Sequence, residues 1–219
     1  VEYTNEQVVN ALTNEDKATI NLYAVWGIAY TITFDKMGGT GGTDSVTVMY
    51  NELPPVIEIP TKAGYDFVGY YDAESIEQAT KFYEGNGTPI FKWPYASDGT
   101  LYAQYIPKMY HYNYFCSETE VAPEGGDITY GNYLLAAEST CIPPTGYVFD
   151  TWLVSGTTDT VKPNDSLLYK YTSDKELHAS FVPGTYTVTF HSNYGEDRTV
   201  VETFVYDNAY RLPQLYRRP

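Results

Sequence analysis

Few side chains in this sequence have chemistry to offer. They are two cysteines, three histidines, several adjacent carboxylates and one isolated aromatic pair. Cys116 and Cys141 lack the second Cys pair or the spaced histidines that a zinc site takes. They leave two readings, a disulfide or two buried thiols packing as small hydrophobes. His111, His178 and His191 stand far apart, and no Gly-x-Ser-x-Gly context supports a nucleophile. Glu15-Asp16, Glu118 with Glu120, and Glu196-Asp197 fall in expected turns or strand edges. Glycosidase acids must instead flank a cleft. Acidic turns offer oxygen ligands to calcium, but no Asp-x-Asp-x-Asp-Gly loop occurs. No catalytic residue, cofactor or metal is therefore assigned. Trp93 and Tyr95, beside Lys92 and Pro94, lie in a stretch without an evident counterpart elsewhere in the chain. They are the candidates for facing a ligand, for example by stacking on a sugar.

The elements that must carry these residues recur. Leu22-Tyr23-Ala24-Val25-Trp26, Leu101-Tyr102-Ala103-Gln104-Tyr105 and Leu177-His178-Ala179-Ser180-Phe181 are versions of one phrase. They are spaced roughly 75 to 80 residues apart, which marks a tandem array. Each phrase closes a unit whose opening also recurs. Tyr30-Thr31-Ile32-Thr33-Phe34 and Tyr186-Thr187-Val188-Thr189-Phe190 are near copies, with Tyr112 to Cys116 in the equivalent place; a start at Tyr110 is the alternative, since a two-residue shift keeps the same residues on one face. Their period-2 alternation reads as strands with one buried face. A turn, a second strand and a proline-bearing crossing follow. Then comes Gly64-Tyr65-Asp66-Phe67-Val68-Gly69-Tyr70, matched by Gly146-Tyr147-Val148-Phe149-Asp150-Thr151-Trp152. On this alignment Cys116 replaces the core-facing Phe34, and Cys141 sits near the place of Ile59, so both point inward. Trp152, Trp26 and His178 occupy repeated positions and read as packing residues. A short helix is expected at residues 5–12, with Asn5 as its cap.

The phrases frame the chain. Residues 1–27 read as the tail of one repeat, 28–107 and 108–184 as complete repeats, and 185–219 as the head of another. Both ends are thus expected to lie inside repeats of a longer protein. Units of this size sit near the lower limit for a self-supporting core. The 24 tyrosines and an aromatic content of 16% supply the packing area. A net charge of −15, from 28 acidic and 13 basic residues, excludes nucleic-acid binding through clustered cations. It also disfavours anionic membranes, and no apolar run is long enough to span a bilayer.

In these residues the chain resembles the Listeria–Bacteroides repeat, the B-repeat type module of internalin-like surface proteins. The likeness rests on Tyr30 to Phe34, the glycines at 38 to 42, Pro60-Thr61, Gly64 to Tyr70 and Leu101-Tyr102-Ala103. The resemblance implies a mainly β fold, α+β at most. Each module would be a small β-grasp-like unit, a curved and mostly antiparallel sheet with a short helix or loop packed on it. It also implies an extracellular or bacterial cell-surface location, where a disulfide is chemically sensible. Between Cys116 and Cys141 such a bond would stabilise by roughly 3–4 kcal/mol in the chain-entropy model.

Three functions follow as expectations. The first is a non-enzymatic stalk, spacer or filament subunit in adhesion, with neighbouring repeats and other copies as partners. The second is a module binding a glycan or a host or cell-wall protein. The third is an accessory region of a larger secreted enzyme.

Overall fold

The computed structural model describes residues 19, 21, 27–116, 122–192 and 198–213. The phrase at Leu22 to Trp26, the helix expected at 5–12 and the carboxylates of residues 15, 16, 118, 120, 196 and 197 lie outside these residues. The described residues are almost entirely strand, turn and extended chain. A 3-10 turn at Ile76–Gln78 is the one helical element among them.

The first sheet is built from β1 (Ala29–Asp35), β2 (Ser45–Met49), β3 (Tyr65–Tyr71), β4 (Lys81–Glu84) and β5 (Gly99–Pro107). Its spatial order is β2-β1-β5-β3-β4. The last strand of this sheet in sequence, β5, is therefore inserted at the centre, parallel to β1 and antiparallel to β3. Alternation along β1 buries Ile32 and Phe34 and turns Thr31, Thr33 and Asp35 to solvent. Leu101 lies beside Phe34 in the parallel pair, and Ala103 faces Tyr70 across β3. The small alanine leaves room for the tyrosine ring on the neighbouring strand, which accounts for Leu-x-Ala in the closing phrase. An extended strap, residues 50–64, crosses the apolar face and buries Ile57 and Pro60 there. The Tyr83 hydroxyl holds the strap by donating to the Pro55 carbonyl at 3.2 Å.

A second sheet repeats the plan. It contains β6 (Met109–Phe115), β7 (Gly126–Thr129), β9 (Tyr147–Val154), β10 (Thr160–Val161) and β12 (Lys175–Pro183). Read from the β7 edge its order is β7-β6-β12-β9-β10, again with one parallel pair at the centre. Here the strap, residues 130–146, includes a short strand. β8 (Tyr133–Leu135) pairs antiparallel with β11 (Ser166–Leu168). A hairpin of β13 (Thr185–His191) and β14 (Thr199–Val205) follows.

Two registers differ from simple alternation. Phe67 and Tyr70 are three residues apart, as are Phe149 and Trp152, so a regular strand would place them on opposite faces. Both pairs instead share the core, with ring centroids 5.1 and 5.0 Å apart. The cause is a β-bulge in each strand, at Val68 opposite β5 and at Asp150 opposite β12. The opening strand of the second sheet follows the alternative alignment from Tyr110, two residues before Tyr112. Tyr110 pairs with Ile128 as Tyr30 pairs with Val48, and Tyr114 lies beside Leu177 as Phe34 lies beside Leu101. The Phe34 place is therefore taken by Tyr114, and Cys116 stands just beyond the strand, where the first module has Lys36.

Candidate functional site

Trp93 does not face a ligand. It is 1% exposed, lies 5.4 Å from the Phe82 ring and donates its indole N–H to the Ser97 carbonyl at 3.2 Å. Burying so large a ring with its one donor satisfied makes it a core residue. Tyr95 packs edge-on against Trp93 at 5.1 Å and remains 43% exposed.

This stretch also has a counterpart in the second module, contrary to the sequence expectation. Tyr169 is buried at the place of Trp93, and its hydroxyl donates to the Ser173 carbonyl at 2.9 Å. Burial pushes that hydroxyl's pKa up to about 12. Trp93 exchanges two backbone bonds with Asn51 and Glu52, and Tyr169 does the same with Gly131 and Asn132. Asp98 accepts the Thr31 N–H at 2.7 Å, and Asp174 the His111 N–H at 2.8 Å. The signal that could have revealed the match is Tyr-x-Ser-Asp, present at Tyr95 to Asp98 and at Tyr171 to Asp174.

Cys116 and Cys141 are joined by a disulfide. It ties the end of the β6 strand to the strap, with Cys141 buried at the edge of the second core. Of the histidines, His111 lies at the surface between Asp127, 2.8 Å from Nδ1, and Asn113, 3.2 Å from Nε2. The hydrogen bond to Asp127 holds its pKa above the usual histidine range. His178 stacks on Phe115 at 5.2 Å and places Nε2 3.0 Å from a Glu176 carboxylate oxygen. His191 ends β13, in a separate hairpin. The structure does not bring the three together. Among the described residues no group of three His, Cys, Asp or Glu side chains is placed to hold a metal ion.

The arrangement that does recur lies between modules. Gly64 and Gly146 have φ of +79° and +86°, in the left-handed region that favours glycine. Each is also covered by a ring of the next module, Tyr130 over Gly64 and Tyr206 over Gly146. A Cβ on either glycine would meet that ring at 2.4 or 2.3 Å. The tyrosine following each glycine completes the contact edge-on. Tyr65 lies 5.3 Å from Tyr130, and Tyr147 lies 5.7 Å from Tyr206.

The single residue between modules is bonded to both. Lys108 donates its N–H to the Gly64 carbonyl at 2.9 Å and accepts from the Tyr130 N–H at 2.8 Å. Gly184 does the same with Gly146 and Tyr206, both at 2.8 Å. Polar contacts flank each joint. Lys108 Nζ lies 3.3 Å from Asp66, and the Tyr147 hydroxyl donates to Asp207 at 3.3 Å. The Asp207 charge holds the Tyr147 hydroxyl above the ordinary tyrosine pKa. Sequence reasoning read Gly64 and Gly146 only as markers of the repeat, because the rings that require them belong to the following repeat.

Comparison with known proteins bears on this architecture. The model of the Listeria-Bacteroides repeat domain family matches residues 30–104. A relative, Internalin H of Listeria monocytogenes, is 40% identical over 88 residues, covering 37% of this chain and 13% of that protein. The chain thus spans a small fraction of the relative's length. No solved structure matches the chain. Residues 30–104, from the opening strand β1 to the Leu-Tyr-Ala strand β5, thus match the Listeria–Bacteroides repeat family, and the sheet that follows has the same strand order as the matched one.

Proposed function

We propose that the chain is a segment of a bacterial surface or secreted protein in which non-catalytic repeats form a stiff tandem array. It would serve as a stalk, spacer or filament subunit in adhesion. The observation that carries this reading is the joint, made twice in succession with the same glycine, the same ring and the same pair of backbone bonds. A one-residue linker bonded on both sides restricts rotation between modules, so reach grows nearly linearly with repeat number. The repeat family and the internalin relative support the surface setting. Small-angle X-ray scattering of the intact chain tests the reading. An elongated profile that stays unchanged between low and high salt is expected. A compact or broadly distributed particle sinks it.

A second reading, a module that binds a glycan or host protein, draws on Tyr95 and Phe91. Both are partly exposed and both pack against Phe82, with centroids 6.1 and 4.9 Å away. Binding to a glycan or matrix-protein panel that is lost in Tyr95→Ala, with stability retained, would favour it.

A further inference from the structure

The joint has two halves, and the described residues carry three copies of the second half. In each, a β-strand is followed at once by a tyrosine and then by a residue of positive φ. These pairs are Tyr50-Asn51, Tyr130-Gly131 and Tyr206-Asp207, with φ of 60°, 83° and 66° at the second residue. The same turn bond closes each. Glu52 N–H donates to Met49 at 3.1 Å, Asn132 to Thr129 at 3.0 Å and Asn208 to Val205 at 3.3 Å. In two copies a Gly-Tyr segment sits under the ring. In the third, Tyr50 is 57% exposed and borders an open hollow with Ile28, Met49 and Glu52. Ile28 and Met49 are exposed as well. Ile28 occupies the linker place that Lys108 and Gly184 occupy elsewhere.

We propose that the Tyr50 turn is a docking surface for the Gly-Tyr segment of a further repeat placed before it in the same polypeptide. The proposal rests on the tandem-array reading and adds the partner of this face. The argument is continuity with an established interface: the turn is already formed, and the two equivalent turns are occupied by one chemistry. The partner must offer three things. These are a glycine of positive φ without a Cβ, a backbone carbonyl to accept the Ile28 N–H, and a following aromatic to meet the Tyr50 ring edge-on. A second copy of this chain is a poorer occupant, because its Gly64 and Gly146 are already covered by Tyr130 and Tyr206.

The test extends the chain. Placing a copy of residues 28–79 directly before Val1 supplies the Gly-Tyr segment and lets residues 1–27 close a complete repeat. Hydrogen exchange and NMR then follow the Tyr50 amide and ring. The expected result is Tyr50 amide protection rising to that of Tyr130 and Tyr206, an upfield shift of the added glycine's α protons, and loss of both when that glycine is replaced by Val. A folded added repeat with Tyr50 still exchanging as in the original chain overturns the proposal. It leaves the array reading intact if the extended chain is longer in solution. A longer chain that is not elongated instead sinks the array reading. Should the added repeat not fold, a synthetic peptide of residues 60–70 titrated into the original chain decides. Shifts confined to Ile28, Met49 and Tyr50, absent with a Val-for-Gly peptide, support the joint, and unchanged spectra at millimolar peptide reject it. Concentration-dependent dimerisation abolished by Tyr50→Ala also rejects it, since the occupant would then be a second copy.

Discussion

In the first module the loop leaving β1 is held to the strap by hydrogen bonds. Thr40 and Thr61 exchange backbone bonds at 2.8 and 2.9 Å. The Thr43 N–H donates to Glu58 at 3.0 Å, and the Glu58 N–H returns to the Thr43 hydroxyl at 3.0 Å. In the second module the strand exit is held to the strap by the Cys116–Cys141 disulfide. One mechanical requirement, keeping the strap pressed on the sheet, is met by two chemistries. The cores differ in a similar way. Each holds one Trp and one Tyr at a pair of equivalent positions, with the two residues exchanged. The first module has Tyr70 on β3 and Trp93 after the strap, and the second has Trp152 on β9 and Tyr169. The fold therefore specifies a summed volume and a tie, and leaves open which side chain provides them.

The largest expected effects test whether the exchanged rings are equivalent. Trp93→Ala and Trp152→Ala should each cost about 3–5 kcal/mol, confined to the module that carries the change. Hydrogen exchange resolved by residue would show which sheet loosens. A Trp93→Ala chain of unchanged stability would return that residue to the surface role first expected of it. Next in size is the tie. Reduction, or Cys116→Ser with Cys141→Ser, should remove roughly 3–4 kcal/mol from the second module only. Equal loss of protection in both modules under reducing agent would break the contrast.

The hydroxyl groups give a smaller and signed effect. The Tyr70 hydroxyl is buried without a hydrogen-bond partner, whereas that of Tyr169 reaches Ser173. Tyr70→Phe should leave the first module as stable or up to about 1 kcal/mol more so, while Tyr169→Phe costs the second about 1 kcal/mol. Urea unfolding of the two variants in parallel reads the sign. The smallest effect is a pH dependence special to the second module. His111 has its folded pKa raised by Asp127. Its contribution is thus fully present below the unfolded value near 6.5 and is lost as pH rises through the folded value. A slight fall in stability between pH 5 and 8, absent in His111→Gln, is expected. Because the pair is exposed, the change is small.

Much of this was legible in the chain. Alternation located β1, β2 and β5, and the recurrence of Leu-Tyr-Ala located their order of appearance. Alternation failed at Val68 and Asp150, because a bulge adds a residue without leaving a compositional mark. It also left the second opener undecided between a start at Tyr112 and one at Tyr110. Tyr110, Tyr112 and Tyr114 all suit a buried strand position, so the pattern repeats under a two-residue slip and only the pairing with β7 and β12 fixes it. The Trp93 stretch was misread because a Trp-to-Tyr change hid its match with Tyr169. The joints were illegible for a different reason. Their requirement for glycine is imposed by a ring from another repeat, so no single repeat contains the explanation.

The position of β5 has a consequence for a chain under tension. β1 begins a module and β5 ends it, yet they lie side by side, parallel, at the centre of the sheet. Pulling on the two ends of a module therefore drags these strands past each other along their length. The hydrogen bonds between residues 32–35 of β1 and 99–102 of β5 are loaded together, in shear, and cannot open one at a time. A repeat of this design resists stretching at its middle, and an array of them yields only when a whole central pair gives way.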